Sequence, residues 1–401
     1  MRVGVFIEEF SPHVGGGYTI QGDIFQSLLE LGRESRHDFT IICRRPEKLR
    51  EALKANSFEV IAFPGTLPQR VGSIARRSMA ALGDHRKLQT RLEQLTRDSG
   101  IEFMWFVGAE GVQLDTPYCA IVWDLQHRLQ PWFPEVSANG QWIHREAFYS
   151  QFLRRAAIII AGTEAGRDEI ARFYQVPLER IRILPHPTPR FALDPTPLES
   201  GEILARYGLS PGYLFYPAQF WPHKNHANLL LAMSRLREKH GLTMHAVFVG
   251  SDKSNQDYIQ QLTNSLGLSA QVHILGFVGQ EDLKALYRHA LALTYLSFFG
   301  PENLPPLEAF GLGCPVIAAK VSGSSEQLGD AALLVEPTNV EEIGEAIRRL
   351  HDDPSLAQCL VKRGKERASA RTGLAFVRGV FALLDQFEEI RRCWGPSTGP
   401  A

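Results

Sequence analysis

The chain is short of the features that mark several protein classes. Its 401 residues include only five cysteines, Cys43, Cys119, Cys314, Cys359 and Cys393. Their number is odd and no pair has the close spacing of a zinc or thiol-redox motif, so reduced, structural thiols in a cytoplasmic protein are expected. No apolar run approaches the ~20 residues of a membrane-spanning helix, and "AAIII" is far too short. Charge of one sign is also missing: the net value is -1, which gives no global attraction to nucleic acid. The opening "MRVGVFIEEF" enters a strand directly and lacks the form of a secretory leader. There is no Asp-x-Asp metal motif, no H-E-x-x-H, no G-x-S-x-G elbow and no Walker loop. Cys314 has no local partner that would make it a nucleophile.

What remains is ordinary globular material, 44% hydrophobic and 22% charged, long enough for two domains. Short apolar runs alternate with helical spacing. "RVGVFI", "DFTIICR", "FEVIAFP", "IEFMWFVG", "YCAIVWD" and "AAIIIAGT" read as strands of a first domain. "GYLFYPA", "HAVFVGS", "VHILGFV", "LALTYLSFF", "PVIAAK" and "ALLVEP" read as strands of a second. Repetition of strand, loop and helix predicts α/β domains with parallel, doubly wound sheets, which bind ligands beyond the carboxyl ends of their strands. The proline-rich stretch 184–200 reads as a stiff linker between them. "LAFVRGVFALLDQFEEIRRCW" has the period of one amphipathic helix.

Four stretches carry candidate chemistry. "SPHVGGGYT" follows the first strand, and its glycines let backbone N–H groups approach an anion; a tight turn is the alternative. Lys224, in "YPAQFWPHKNHANLL", precedes a helix at the end of a strand, where an ammonium suits a phosphate; Asn225 or Asn228 could cap that helix. Asp124 and His127, in "VWDLQHRLQPWFPE", sit at a strand end, as proton-handling or hydroxyl-binding groups or as loop structure. In "FFGPENLPPLEAFGLGCPV" prolines begin a short helix, expected from Asn303 to Pro306, whose positive end and free N–H groups would form an anion site. Glu308, one turn inside, could accept hydrogen bonds from a ligand diol such as a ribose, or could be a solvated helix residue. A fifth stretch, Arg70 to Asp98, is basic and amphipathic, and reads either as a solvated helix face or as a contact with an anionic membrane.

Taken together these motifs resemble the retaining family-four glycosyltransferases. The likeness rests on "HKN" at Lys224, "FVGS", "HILGFV" and "PPLEAFGLGCPVIAAKVSGSSEQLGDAALLVEP", and extends over nearly the whole chain. "QFWPHKN" with "FGPENLPPLEAF" is similar to the polysaccharide and O-antigen subgroup, mannosyltransferases among them. The resemblance implies the GT-B fold, two Rossmann-like doubly wound domains facing a central cleft: residues 1–190 on the acceptor side, completed by a C-terminal helix over 374–394, and 200–373 holding the nucleotide sugar. It implies that Glu308 holds the donor ribose and Lys224 the diphosphate. Gly276, Phe277 and Val278 would pack the nucleotide base. Gly16 and Gly17 would face the donor phosphate and the acceptor. Asp124 to His127 would lie near the sugar. Gly300, Glu302, Asn303 and Leu304 would line the donor loop.

Two positions depart from the family pattern. The glutamate expected eight residues before Glu308 is Gly300, and the arginine expected five before Lys224 is Gln219. Glu302 is therefore expected either to replace the missing glutamate at a hexose hydroxyl or to point to solvent. The resemblance implies a metal-independent enzyme without a cofactor that moves a hexose from a nucleotide diphosphate sugar to a glycan or lipid-linked acceptor. A nucleotide-sugar epimerase and a non-catalytic nucleotide-sugar-binding protein are the alternatives. The expected location is cytoplasmic, with residues 70–97 as a peripheral membrane contact.

Overall fold

The structure is a computed structural model that describes residues 1–7, 16–43, 58–63, 87–196 and 200–394. The chain divides into two compact units. The first comprises Met1–Trp132, Val136–Pro187 and the C-terminal part from Gly373; the second comprises Phe133–Glu135 and Thr188–Thr372.

The first unit is built on a parallel sheet of seven strands in the order β3-β2-β1-β4-β5-β6-β7. These are β1 (Arg2–Ile7), β2 (Asp38–Cys43), β3 (Glu59–Ala62), β4 (Phe103–Phe106), β5 (Tyr118–Val122), β6 (Ile158–Ala161) and β7 (Ile181–Ile183). Every residue of β4, β5 and β6 is buried. That is why these strands read as unbroken apolar runs: helices cover both faces of a parallel sheet, so neither face needs polar residues. β7 has no counterpart among the expected strands; with three residues and Arg182 at its centre it carries too little pattern. Phe106, Tyr118 and Phe152 form the aromatic centre, with Tyr118 and Phe152 stacked at 5.1 Å. The helix Gly373–Arg391 packs here, with Phe381 stacked on Phe39 at 5.3 Å and Phe387 tilted against Phe103 at 4.9 Å. Of the basic stretch 70–98, residues 70–86 lie outside the described residues; its remainder is a helical segment whose Leu92 is fully buried.

The second unit has six parallel strands in the order β10-β9-β8-β11-β12-β13. They are β8 (Tyr213–Pro217), β9 (Ala246–Val249), β10 (Val272–Gly276), β11 (Ala290–Tyr295), β12 (Val316–Ala319) and β13 (Leu333–Val335). All six were expected from the sequence. The strand order reverses between β8 and β11, and the crevice beyond the carboxyl ends of two such strands is where open α/β sheets hold ligands. Within the stretch 184–200 the division between the units falls at Pro187–Thr188, Thr188 is fully buried, and Arg190–Leu193 is a short helix. Fixed φ at Pro189 sets the entry to that helix, so proline here starts an element as well as separating two.

Candidate functional site

The second unit places Lys224 and Glu308 on the two sides of its switch point. Lys224 ends the short turn Pro222–Lys224 after β8, and Glu308 lies in the helix Leu304–Leu312 after β11. Hydrogen bonds tie the two strand ends together. Phe298 N–H donates to the His223 carbonyl (2.9 Å), Leu296 N–H to the Tyr216 hydroxyl (3.0 Å), and that hydroxyl to the Lys224 carbonyl. The His223 N–H donates to Glu135 (3.1 Å). Asn225 takes the left-handed conformation, φ 57°, which Asn tolerates better than most residues. It stands at the start of the helix His226–His240 but makes no side-chain cap there; its amide reaches the Leu296 and Pro337 carbonyls at 3.0 and 2.8 Å. Asn228 donates to the Asn225 side chain (2.7 Å), so neither residue fulfils the expected capping role.

The Lys224 ammonium donates to the Tyr295 hydroxyl (2.7 Å) and lies 5.1 Å from the centre of that ring. No carboxylate pairs with it among the described residues. The chain thus fixes a cation at the crevice without neutralising it, which suits an anionic ligand. Gln219 spends its amide locally: it donates to Ser251 (3.2 Å) and accepts from the Trp221 indole (3.0 Å).

Glu308 is 8% exposed and accepts a hydrogen bond from Tyr287 (2.7 Å), so it is not a solvated helix residue. Burial and the Glu308 charge push the Tyr287 hydroxyl pKa well up, which keeps it a donor. The helix mouth is more economical than the sequence implies. A helix leaves its first four N–H groups without intrahelical partners. Here those belong to Asn303, Leu304, Pro305 and Pro306; the prolines have none, and Asn303 donates to Gln327 Oε1 (3.0 Å). Only the Leu304 N–H is left for a ligand. Gln327 also donates to the Asn303 carbonyl (2.8 Å), so one buried amide holds both backbone groups of the residue that starts the helix.

Glu302 does not point to solvent. Its side chain is 2% exposed and faces Arg371 at 3.6 Å, away from solvent. Gly300 has φ 127°, and a Cβ there would lie 2.5 Å from the Asn303 side chain. The Asn303 amide also donates to the Gly300 carbonyl (3.0 Å). The absence of glutamate at 300 is thus enforced by backbone and packing. Gly276 ends β10 in the left-handed region (φ 69°); Phe277 then turns outward, 65% exposed, and Val278 inward.

In the first unit Gly16 and Gly17 open the helix Gly16–Leu31; the rest of the glycine loop, residues 11–15, lies outside the described residues. Asp124 accepts from the Gln126 N–H (3.0 Å) and pairs with Arg145. Burial pushes its carboxyl up, but Arg145 and that N–H outweigh it and hold the pKa below the usual value. It therefore also holds the turn. His127 differs from the expectation of a proton-handling group facing a ligand. It is fully buried, stacked on Tyr149 at 5.6 Å, with Nε2 3.1 Å from the Tyr174 hydroxyl and 3.4 Å from Glu146. Burial, then Arg145, lowers its pKa to about 4. The residues that enclose it come from two helices that local sequence does not connect to the strand end.

His226, stacked on Phe220 and tilted against Tyr216 in the second unit, is likewise held neutral, its pKa lowered by burial to about 3. Both imidazoles titrate below the ordinary 6.5, so the unfolded chain binds protons first as pH falls. The stability they supply is complete above pH ~6.5 and is lost between there and about 4 for His127 and about 3 for His226. Urea unfolding should show stability falling from pH 7.5 to 5, with a shallower fall in His127→Gln and His226→Gln. An equal slope in both variants would show that the buried rings are not neutral.

Comparison with known proteins fits this geometry. Residues 207–367 match the family described as Glycosyl transferases group 1. The second unit therefore carries a group 1 glycosyltransferase domain, in a chain with the GT-B fold. The chain is 28% identical over 236 residues to the O-antigen chain mannosyltransferase B of Escherichia coli, covering 59% of this chain and 62% of that protein. It is 29% identical over 150 residues to the MMP alpha-(1->4)-mannosyltransferase of Mycolicibacterium hassiacum, 37% of this chain and 36% of the relative. The matched regions thus span at most about three fifths of these relatives. Among solved structures, sucrose-phosphate synthase from Thermosynechococcus elongatus has TM-score 0.73 at 17% identity, covering 97% of this chain and all of the other (100%). HepE of Anabaena, in complex with UDP and glucose, has TM-score 0.66 at 15% identity, covering 96% and 99%.

Proposed function

We propose that the protein is a retaining, metal-independent hexosyltransferase acting on a nucleotide diphosphate sugar, with a glycan or lipid-linked acceptor, in polysaccharide biosynthesis. The observation that carries this reading is the placement of Lys224, which no carboxylate neutralises among the described residues, and a buried Glu308 on the two sides of the switch point of a group 1 glycosyltransferase domain. The mannosyltransferases among the relatives favour a hexose, and the neighbour with UDP and glucose favours a nucleotide-linked donor.

In this reading the nucleotide lies over the ends of β8 to β11. Glu308 accepts hydrogen bonds from the ribose, Lys224 and the Leu304 N–H meet the diphosphate, and the Gly276–Val278 loop packs the base. As the glycosidic bond breaks, negative charge grows on the leaving diphosphate. A fixed ammonium stabilises that charge without having to reorganise. The donor phosphate itself takes the acceptor proton on the face from which the leaving group departs, giving retention.

A screen of nucleotide sugars for protection against thermal unfolding tests donor binding, since a ligand at 100 times its Kd adds about 2.7 kcal/mol. Transfer to oligosaccharide or lipid-linked acceptors, with the product anomer read by NMR, tests the reaction. Turnover of the donor without any acceptor would instead identify an epimerase. Activity should survive EDTA unchanged. Loss in EDTA with recovery on adding manganese or magnesium would overturn the metal-independent mechanism.

A further inference from the structure

The second unit supplies few positive groups for a diphosphate. Its helix mouth offers the single N–H of Leu304, because two prolines and Gln327 remove the others. Gln219 is neutral and its amide is engaged. Lys224 alone would face a ligand group carrying at least two negative charges.

Another cation is held beside this loop. The segment after β9 packs against the one after β8: Phe220 N–H donates to the Ser251 carbonyl (3.1 Å), and Phe220 and Asp252 form an isolated parallel bridge. The approach is close enough that a Cβ on Gly250 would lie 2.3 Å from the Ala218 carbonyl oxygen. Lys253 emerges from this segment with its ammonium 5.5 Å from the centre of the Trp221 ring. Trp221 is fixed in turn by Gln219, and its carbonyl accepts the Lys224 N–H (3.0 Å). The neighbouring Asp252 accepts the Asn255 and Gln256 N–H groups at 3.2 and 3.1 Å, so its charge caps the following helix. Among the described residues no carboxylate pairs with Lys253. An indole face orients an ammonium without cancelling its charge.

We propose that Lys253 is the second cation of the diphosphate subsite, delivered from the β9 loop and oriented by Trp221, and that it compensates for the neutral Gln219. This rests on the nucleotide-sugar reading above and adds a binding residue to it. A nucleoside diphosphate would engage Lys224 and Lys253 together, whereas a nucleoside would engage neither.

The test is calorimetric titration of the full chain with UDP and GDP, and with uridine and guanosine. Lys253→Gln should weaken the better-bound diphosphate about tenfold and leave its nucleoside unchanged. Lys253→Arg should keep most of the affinity. Lys320→Gln, at an exposed lysine beyond β12, serves as the comparison. Equal diphosphate affinity in Lys253→Gln and the parent, or a loss confined to Lys320→Gln, overturns the assignment while leaving the nucleotide-sugar reading intact. If the parent binds neither UDP nor GDP, that reading falls and the role of Lys253 falls with it.

Discussion

Lys224→Gln is expected to lower turnover at saturating donor by about 10²–10³, the range found when one preorganised electrostatic donor is removed. Glutamine keeps a polar stem against Tyr295 but has no charge to set against the leaving diphosphate. The native ammonium makes one hydrogen bond, to the uncharged Tyr295 hydroxyl, and one ring contact. Its loss therefore leaves no buried carboxylate unpaired, and thermal unfolding should move little. Rate and fold should separate cleanly. A folded variant with nearly full turnover would mean that Lys224 does not meet the phosphate.

The second large effect is expected at Glu308. Glu308→Ala should reduce affinity for a nucleoside diphosphate by at least about tenfold, while inorganic pyrophosphate binds as before. The contrast isolates the ribose, because pyrophosphate has none. Some stability should be lost too, about 1–3 kcal/mol, since the buried Tyr287 hydroxyl loses its short acceptor and keeps only the Pro305 carbonyl at 3.3 Å. Tyr287→Phe separates the two contributions: it removes the hydroxyl and leaves the carboxylate. If Glu308→Ala weakens pyrophosphate and nucleoside diphosphate equally, the carboxylate shapes the loop and does not hold the sugar of the nucleotide.

Much of the architecture was readable because parallel strands buried on both faces are written as continuous apolar runs. Among the described residues the twelve expected strands formed and β7 alone was hidden, in three residues centred on Arg182. Lys224 and Glu308 were readable for a related reason, since a strand end followed by a helix is a recognisable place for a ligand group. Their partners were not. Tyr295 is 71 residues from Lys224, Tyr287 is 21 from Glu308, and Gln327 is 24 from Asn303. No local period connects such pairs; tertiary packing brings them together. His127 failed in the opposite way. Its position beyond β5 marked it as a ligand group, but Tyr149 and Tyr174 arrive from helices far along the chain and enclose it. Glu302 likewise lacked a visible partner, because Arg371 lies near the far end of the second unit.

Gly300 and Asn303 have a consequence for how such a chain can change. The missing side chain at one position makes room for the amide at the other, and that amide holds the first position's carbonyl. A lineage that acquired glutamate at 300 alone would meet a steric barrier, and one that lost Asn303 alone would forfeit the tether on the bend. The bend at 300 and the amide at 303 therefore act as one unit: glycine supplies the backbone conformation, φ 127°, and Asn303 the tether that holds it, so a change at either position loosens the same loop.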